Sequence, residues 1–346
     1  MIALALAILL QGSADARSGL CPRALAAAPV YSVCTETPHG VAMAMDQANA
    51  DALARHASSG EARFRTYFAR DISPYVVTSS PPALDRTALA TAGFVHSLPW
   101  PDPEAFDQAR RQGIETAARQ FASSQGLGAA QADQIVARAL TSGGAEGGKA
   151  ALDAGMLPHE LGHLWFTHAF WPMASQAEEG VSHYGGPGPD WLDELAAILL
   201  EDAPTTDRRR AQMQQLLQGE VVPAIGPAAA RETLLDLKGF LSRAHPALTR
   251  VQMSPPNLPA RGGIALVYTP AGSGPSAVVQ ERLFYIQARG FADFLIEKTG
   301  RDTVFADIAQ ALSDGRTFEA WLSTDGASVG LPDTLEALDR LWREGR

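Results

Sequence analysis

Two histidines stand four residues apart in the segment PHELGHLWF, residues 158–166, and a glutamate directly follows the first of them. Residues four apart on an α-helix project from the same face, so the imidazoles of His159 and His163 can bind one metal ion. Glu160 lies one position further round the helix, where it can serve as a general base without occupying a coordination position. This spacing predicts hydrolysis assisted by a zinc ion.

The third protein ligand that a catalytic zinc site requires is expected from a second, apolar helix. Glu194 lies in WLDELAAILLED, residues 191–202, among tryptophan, leucine and alanine side chains, and a carboxylate in such surroundings needs a partner. Glu201 follows seven residues later on the same helix face, where it can orient a ligating histidine. We therefore predict a zinc site formed by His159, His163 and Glu194, with a fourth coordination position open to water.

Other interpretations of these residues stay open. An exposed helix with two solvated histidines would show the same local spacing. Other side chains near the two helices offer alternative ligands, namely His168, His183, Asp190, Asp193, Glu178 and Glu179. The remaining histidines have no metal-binding motif around them and are interpreted as surface or hydrogen-bonded residues: His39, His56, His96 and His245.

The elements that must position these side chains follow an α+β pattern. Two strand-like runs, in residues 73–82 and 91–100, predict a small sheet early in the chain. The histidine helix is predicted from Met156 to Phe170, with Pro158 in its first turn. Further helices are predicted at 41–57, 104–124, 129–140, 207–218, 229–244, 281–298, 302–312 and 333–343. The expected fold is a small N-terminal sheet with the active-site helices, followed by a mostly helical C-terminal part.

Charge and the first residues restrict the partners and the location of the protein. A formal net charge of −10 without a basic run gives no electrostatic footprint for nucleic acid. The apolar run from Ile2 to Leu10, with Ala14 and Ala16 after it, is typical of a secretory signal peptide. It is shorter than the ~20 residues that span a bilayer as a helix. We therefore expect a secreted or periplasmic protein without a stable membrane anchor; a cytoplasmic chain with an apolar terminus is the alternative.

Three segments of the chain are distinguished on these grounds. Residues 1–16 form the expected signal peptide, 17–204 an N-terminal α+β part with the zinc-binding helices, and 205–346 a helical C-terminal subdomain. Cys21 and Cys34 follow the expected cleavage point closely and can pair after export, although the sequence does not decide whether they do. The oligomeric state is also left open.

The two zinc-site segments together resemble the core of the gluzincin metallopeptidases of clan MA, the group that includes thermolysin and the zinc aminopeptidases. The aminopeptidase branch has a similar HELxHxWF helix followed by a WLNEG helix, and HELGHLWF and WLDELAAILLE match them here. Carried onto these positions, the resemblance implies zinc ligation by His159, His163 and Glu194 and a general base at Glu160. It also implies a thermolysin-like zincin fold and a peptide or protein substrate.

A third match lies at FYIQARGFADFLIEKTG, residues 284–300, which resembles the tyrosine-led helix of the aminopeptidases. The resemblance implies that Tyr285 donates a hydrogen bond to the oxyanion of the reaction, with Tyr268 as the reserve candidate. A phenol with an ordinary pKa of ~10 remains a donor at neutral pH. The alternative role of Tyr285 is that of an ordinary buried tyrosine in a core helix.

One family segment is missing from this chain. The aminopeptidases carry a Gly-x-Met-Glu-Asn segment that holds the free amino terminus of the substrate, and GGAEGG stands in its place at residues 143–148. Glu146 is a poor substitute for that segment. Aminopeptidase specificity is therefore not implied, and the closer likeness is to the small bacterial peptidase-MA-like domains.

Two other functions are compatible with the same residues. One is a non-catalytic binding or scaffold protein that retains the gluzincin fold, and the other is a zinc hydrolase that acts on a non-peptide amide or ester. Glu160 and Tyr285 favour an enzyme, because a site without chemistry has no physical need for a general base or an oxyanion donor.

Overall fold

The structure is a computed structural model that describes residues 19–79, 84–142, 148–172, 186–220, 222, 234–246 and 275–344. The expected signal segment, residues 1–16, lies outside these ranges. Among the described residues, no helix combines the length and the hydropathy that crossing a bilayer requires.

Contacts group the described residues into two compact units. The first unit contains residues 19–61 and 72–142. The second contains residues 62–71 together with the described residues from 148 to 344. The helices with the predicted zinc ligands thus group with the C-terminal helices, whereas the boundary predicted from the sequence falls after residue 204.

The first unit contains a four-stranded sheet, ordered β1 Val33–Glu36, β2 Gly40–Ala44, β3 Tyr75–Ser79 and β4 His96–Trp100. β1 pairs antiparallel with β2, and the pairs β2–β3 and β3–β4 are parallel. Every residue of β2 and β3 is buried, as is typical of parallel strands that are covered on both faces. The strands predicted within 73–82 and 91–100 are confirmed, and the α+β class is that of the structure.

The helix predicted over residues 41–57 is wrong at its start. Gly40–Ala44 forms strand β2, and the helix begins only at Gln47. Alanine and methionine favour a helix intrinsically, but here the segment lies between two partner strands, and burial in the sheet outweighs the local preference.

Five helices accompany the sheet in sequence: α1 Leu20–Ala27, α2 Gln47–Phe68, α3 Arg86–Thr91, α4 Pro103–Ser124 and α5 Ala129–Ser142. α1 packs on β1 and β2, and Leu20 and Ala24 join Val41, Met43 and Val76 in a buried apolar cluster. α4 and α5 pack against each other and confirm the helices predicted at 104–124 and 129–140.

The second unit contains eight α-helices in its described residues: α6 Gly148–Phe170, α7 Asp190–Ile198, α8 Ala203–Leu217, α9 Leu237–Leu241, α10 Pro275–Thr299, α11 Val304–Ser313, α12 Phe318–Asp325 and α13 Leu335–Glu344. α7 packs against α6, and α10 packs against both α7 and α8. The helices predicted at 207–218, 281–298, 302–312 and 333–343 are confirmed as α8, α10, α11 and α13. Of the helix predicted at 229–244, the described residues are helical only in α9. α9 ends at Leu241, and Pro246 then disfavours helical backbone at His245.

Helix α6 begins earlier than the sequence predicts. It starts at Gly148, so Pro158 lies inside the helix and not in its first turn. The residues between them are mostly good helix formers, and they sustain the helix although a proline removes one backbone hydrogen bond. The histidine pair therefore lies well inside a long helix, where both rings are buried.

A disulfide joins Cys21 of α1 to Cys34 of β1, with the two Cα atoms 5.6 Å apart. This settles the pairing that the sequence leaves open. The bond ties α1 to the edge strand of the sheet and closes a short loop, which restricts the unfolded chain of the first unit.

We expect the double variant C21S/C34S to lower the free energy of opening of the sheet by about 2–3 kcal/mol, because it removes this short cross-link. Amide hydrogen exchange measures the effect, with faster exchange expected in β1 and β2. Exchange in α10, in the other unit, serves as the internal control. Unchanged exchange throughout the sheet would show that the disulfide does not stabilise it.

Candidate metal centre

Close packing of α6 on α7 brings the predicted ligands together. A Cβ atom on Gly162 would lie 2.9 Å from Leu200 Cδ1 and 3.0 Å from the Cα atom of Ala197, so the glycine allows the two backbones to approach. Glu194, on the buried α7, faces α6 across this contact with 0% of its surface exposed. Burial to this extent requires compensation of the carboxylate charge.

Two of the compensating groups are the histidines of the predicted site. His159 Nε2 lies 3.4 Å from Glu194 Oε1, and His163 Nε2 lies 3.8 Å from Glu194 Oε2. Two ligand atoms of a tetrahedral zinc ion lie ~3.3 Å apart, given zinc–ligand bonds of ~2.0–2.1 Å. Neither Glu194 oxygen accepts a hydrogen bond within the described part of the chain. The three residues form a buried group that could hold a metal ion.

Two further carboxylates orient the imidazoles. Glu201 Oε1 lies 3.1 Å from His159 Nδ1, and Asp193 Oδ2 lies 2.9 Å from His163 Nδ1. An ionised carboxylate only accepts, so each Nδ1 donates and each Nε2 is left for a metal ion. Glu201 thus has the orienting position expected from the sequence. Asp193, considered there as an alternative ligand, holds His163 instead.

Arg209 of α8 holds Glu201 in place. Its Nε donates to Glu201 Oε2 at 2.6 Å, and its Nη2 donates to Glu201 Oε1. Burial by itself would raise the pKa of Glu201, but Arg209 and His159 lower it below the ordinary value. Glu201 is therefore ionised at neutral pH and can accept from both neighbours.

The charges of the metal-free centre are strongly coupled. Burial would raise the pKa of Glu194, yet the imidazoles of His159, His245 and His163 lower it to about 2. Burial would lower the pKa of His163, yet the carboxylates of Asp193, Glu194 and Glu160 raise it to about 10. His163 thus carries a proton at neutral pH, and a metal ion must displace that proton on binding.

Glu160, the predicted general base, lies near the metal centre. Its side chain is half-buried, and its charge contributes to the raised pKa of His163. Among the described residues it has no hydrogen bond and no ion pair. A carboxylate in this position is available to a substrate or to water.

The structure places Tyr285 of α10 beside the same centre. Its ring meets that of His159 edge to face, with 6.2 Å between the ring centroids. The guanidinium of Arg209 lies over the phenol ring, 5.0 Å from its centroid. The Tyr285 hydroxyl donates to Glu281 Oε1 at 3.3 Å, a long hydrogen bond. Tyr268, the reserve candidate, lies outside the described residues.

His245 is the residue that sequence reasoning missed, since it was grouped with surface or hydrogen-bonded histidines. It is fully buried, and its Nε2 lies 3.4 Å from Glu194 Oε2. Its backbone N–H donates to Asp190 Oδ2 at 2.7 Å, a bond between residues 55 positions apart. Its ring also packs against Tyr285, with 5.6 Å between centroids. No local spacing indicates a residue that only tertiary contacts bring to the site.

The other alternative ligands have separate positions. Asp190 accepts the N–H of His245, and His168 is not a member of the metal-binding group found among the described residues. His183, Glu178 and Glu179 lie outside the described residues.

We expect Asp193→Asn to weaken zinc binding roughly 10–100-fold, because the neutral amide holds the His163 imidazole less firmly and makes it a weaker ligand. Competition with a chromophoric chelator measures the affinity. Asp293→Asn is the matched control, since Asp293 is also a carboxylate of the second unit, held by Arg210 and Arg289 away from the centre. Equal affinities of the two variants would contradict an orienting role for Asp193.

Comparison with known proteins gives no relative from which the centre could be interpreted. No protein-family model, no curated protein and no solved structure matches this chain. What the residues can do chemically therefore rests on the three converging side chains, on the carboxylates that orient them, and on Glu160 and Tyr285 beside them.

Proposed function

We propose that this chain is a zinc-dependent metallopeptidase of the gluzincin type, with a thermolysin-like zincin fold. One observation supports the proposal most strongly: two imidazole nitrogens lie 3.4 and 3.8 Å from a fully buried carboxylate that accepts no hydrogen bond from the described residues. Zinc bound by His159, His163 and Glu194 supplies Lewis acidity that polarises the scissile carbonyl and activates water.

The protein's own side chains then move the protons. Glu160 accepts the proton of the water that attacks the carbonyl carbon, and it delivers this proton to the amine as the C–N bond breaks. Tyr285 donates a hydrogen bond to the oxygen on which negative charge develops, and this bond strengthens as the charge grows. His245 packs against Tyr285 and lies 3.4 Å from Glu194 Oε2, so it helps to hold the carboxylate ligand in place.

The surroundings of Glu160 favour an enzyme over a scaffold that merely retains a metal site. The carboxylates that position the histidines, Glu201 and Asp193, are buried and hydrogen-bonded. Glu160 has no such partner among the described residues, so it does not contribute to the structure in their way. A peptide is the substrate that the sequence resemblance supports, and a non-peptide amide or ester is the alternative substrate.

The protein is further proposed to be secreted or periplasmic. The apolar run at residues 2–10 and the small residues after it are typical of a signal peptide. The Cys21–Cys34 disulfide supports this location, because disulfides persist in oxidising compartments and are rare in the cytosol.

We expect Glu160→Gln to bind zinc as tightly as the parent while losing peptide hydrolysis by at least ~10²-fold, since glutamine cannot accept the proton of the water. A pool of mixed peptides analysed by mass spectrometry, with and without chelator, measures the activity, and metal analysis measures zinc. Glu297→Gln, an exposed glutamate of α10, is the control. Hydrolysis that survives either chelator or Glu160→Gln would exclude this mechanism.

Tyr285→Phe should lower kcat roughly 10²–10³-fold with little change in KM, because the lost hydrogen bond acts chiefly in the transition state. Zinc content and the thermal midpoint report separately on any structural effect. Tyr67→Phe is the matched control, a tyrosine of the same unit that packs on Phe305. A rise in KM without loss of kcat would reassign Tyr285 to substrate binding.

A further inference from the structure

A pocket of the second unit lies beside the start of α7. Its volume is ≈ 460 Å³, within the ~300–1,000 Å³ that small-molecule sites occupy. Trp171 and Gly188 form one part of its wall, and a Cβ on Gly188 would lie 2.8 Å from the indole ring. The glycine therefore lets the indole approach the backbone closely, and the indole forms an apolar part of the wall.

The pocket contains a cation without an internal partner. Arg243 lines it and is half-buried, and its guanidinium has no hydrogen bond or ion pair with the described residues. Burial lowers the pKa of Arg243, and no charge among the described residues counteracts this effect. A partly desolvated cation is destabilising until an anion approaches it.

The other charged residues of the pocket wall are already engaged. Arg316 donates to Asp325 Oδ2 at 2.5 Å and to the hydroxyl of Thr324. Asp190 is buried, and its Oδ2 accepts the N–H of His245. Arg243 is therefore the charged group of the described wall that is available to a ligand, and its sign selects an anion.

The chain places this pocket next to the metal centre. Arg243 and His245 are two residues apart, so their Cα atoms lie within about 7 Å of each other. His245 in turn lies 3.4 Å from Glu194, and Asp190 in the pocket wall begins the helix that carries Glu194. The pocket thus adjoins the metal centre through His245 and through the first turn of α7.

We infer that this pocket binds a carboxylate of the peptide substrate through Arg243. A guanidinium forms two parallel hydrogen bonds with a carboxylate, and the indole of Trp171 offers apolar contact to the residue that bears it. The inference rests on the proposed function and narrows its substrates to peptides with a carboxylate close to the bond that is cut. The terminal carboxylate and an acidic side chain present the same chemistry to Arg243.

Binding of three peptides to the zinc-loaded Glu160→Gln chain tests the inference by calorimetry, without turnover. They are N-acetyl tetraalanine with a free carboxylate, its C-terminal amide, and that amide with glutamate at the third position. We expect a peptide with a carboxylate to bind roughly tenfold more tightly than the plain amide, as one charge-assisted contact provides. The peptide that gains affinity identifies the terminal or the side-chain carboxylate as the source.

Variants of the two pocket arginines provide the matched comparison. Arg243→Gln should abolish the preference, Arg243→Lys should retain part of it, and Arg316→Gln should leave it intact. Equal or absent binding of all three peptides, or a preference that survives Arg243→Gln, would overturn the inference. Hydrolysis by the parent chain is measured separately: preference without hydrolysis would refute the peptidase alone, and hydrolysis without preference would refute the pocket alone.

Discussion

A fully buried carboxylate, Glu194, depends for its compensation on three imidazoles, two from the neighbouring helix α6 and one from His245. Removing a carboxylate from water is costly unless an opposite charge or a metal ion approaches it. Gly162 lets the helices approach closely enough for this, and α10 packs on α7 from another side. The positions of the predicted metal ligands therefore depend on how these helices pack.

Around the contact between Glu194 and the histidines, side chains of opposite charge alternate outward. Glu201 and Asp193 hold the Nδ1 atoms of the two histidines, and Arg209 in turn holds Glu201. Each buried charge thus meets one of opposite sign, which keeps the network stable and fixes both rings for metal binding. In contrast, Glu160 and Arg243 have no such partner among the described residues, and these are the positions where water and substrate are proposed to act.

The first unit is stabilised by other interactions. Its buried parallel strands are held by an apolar cluster, and the Cys21–Cys34 disulfide adds a covalent restraint between helix and sheet. Inside it, Glu61 accepts hydrogen bonds from Thr37 and Tyr75. Burial and the charge of Glu61 hold the pKa of Tyr75 well above its usual range, so the phenol remains a donor. This polar group is structural, and it fixes the turn between β1 and β2.

The sequence by itself determined the features that short-range periodicity encodes: the pairing of His159 with His163 on one helix face, the apolar helix of Glu194, two of the strands and most long helices. Tertiary structure alone decided the rest. Strand β2 became a strand because its neighbours bury it, and α6 and α7 group with the C-terminal helices because α7 packs on α10 and α6 packs on α7. His245 reached the centre, and Arg243 the adjoining pocket, through contacts between residues far apart in sequence, which no local spacing encodes.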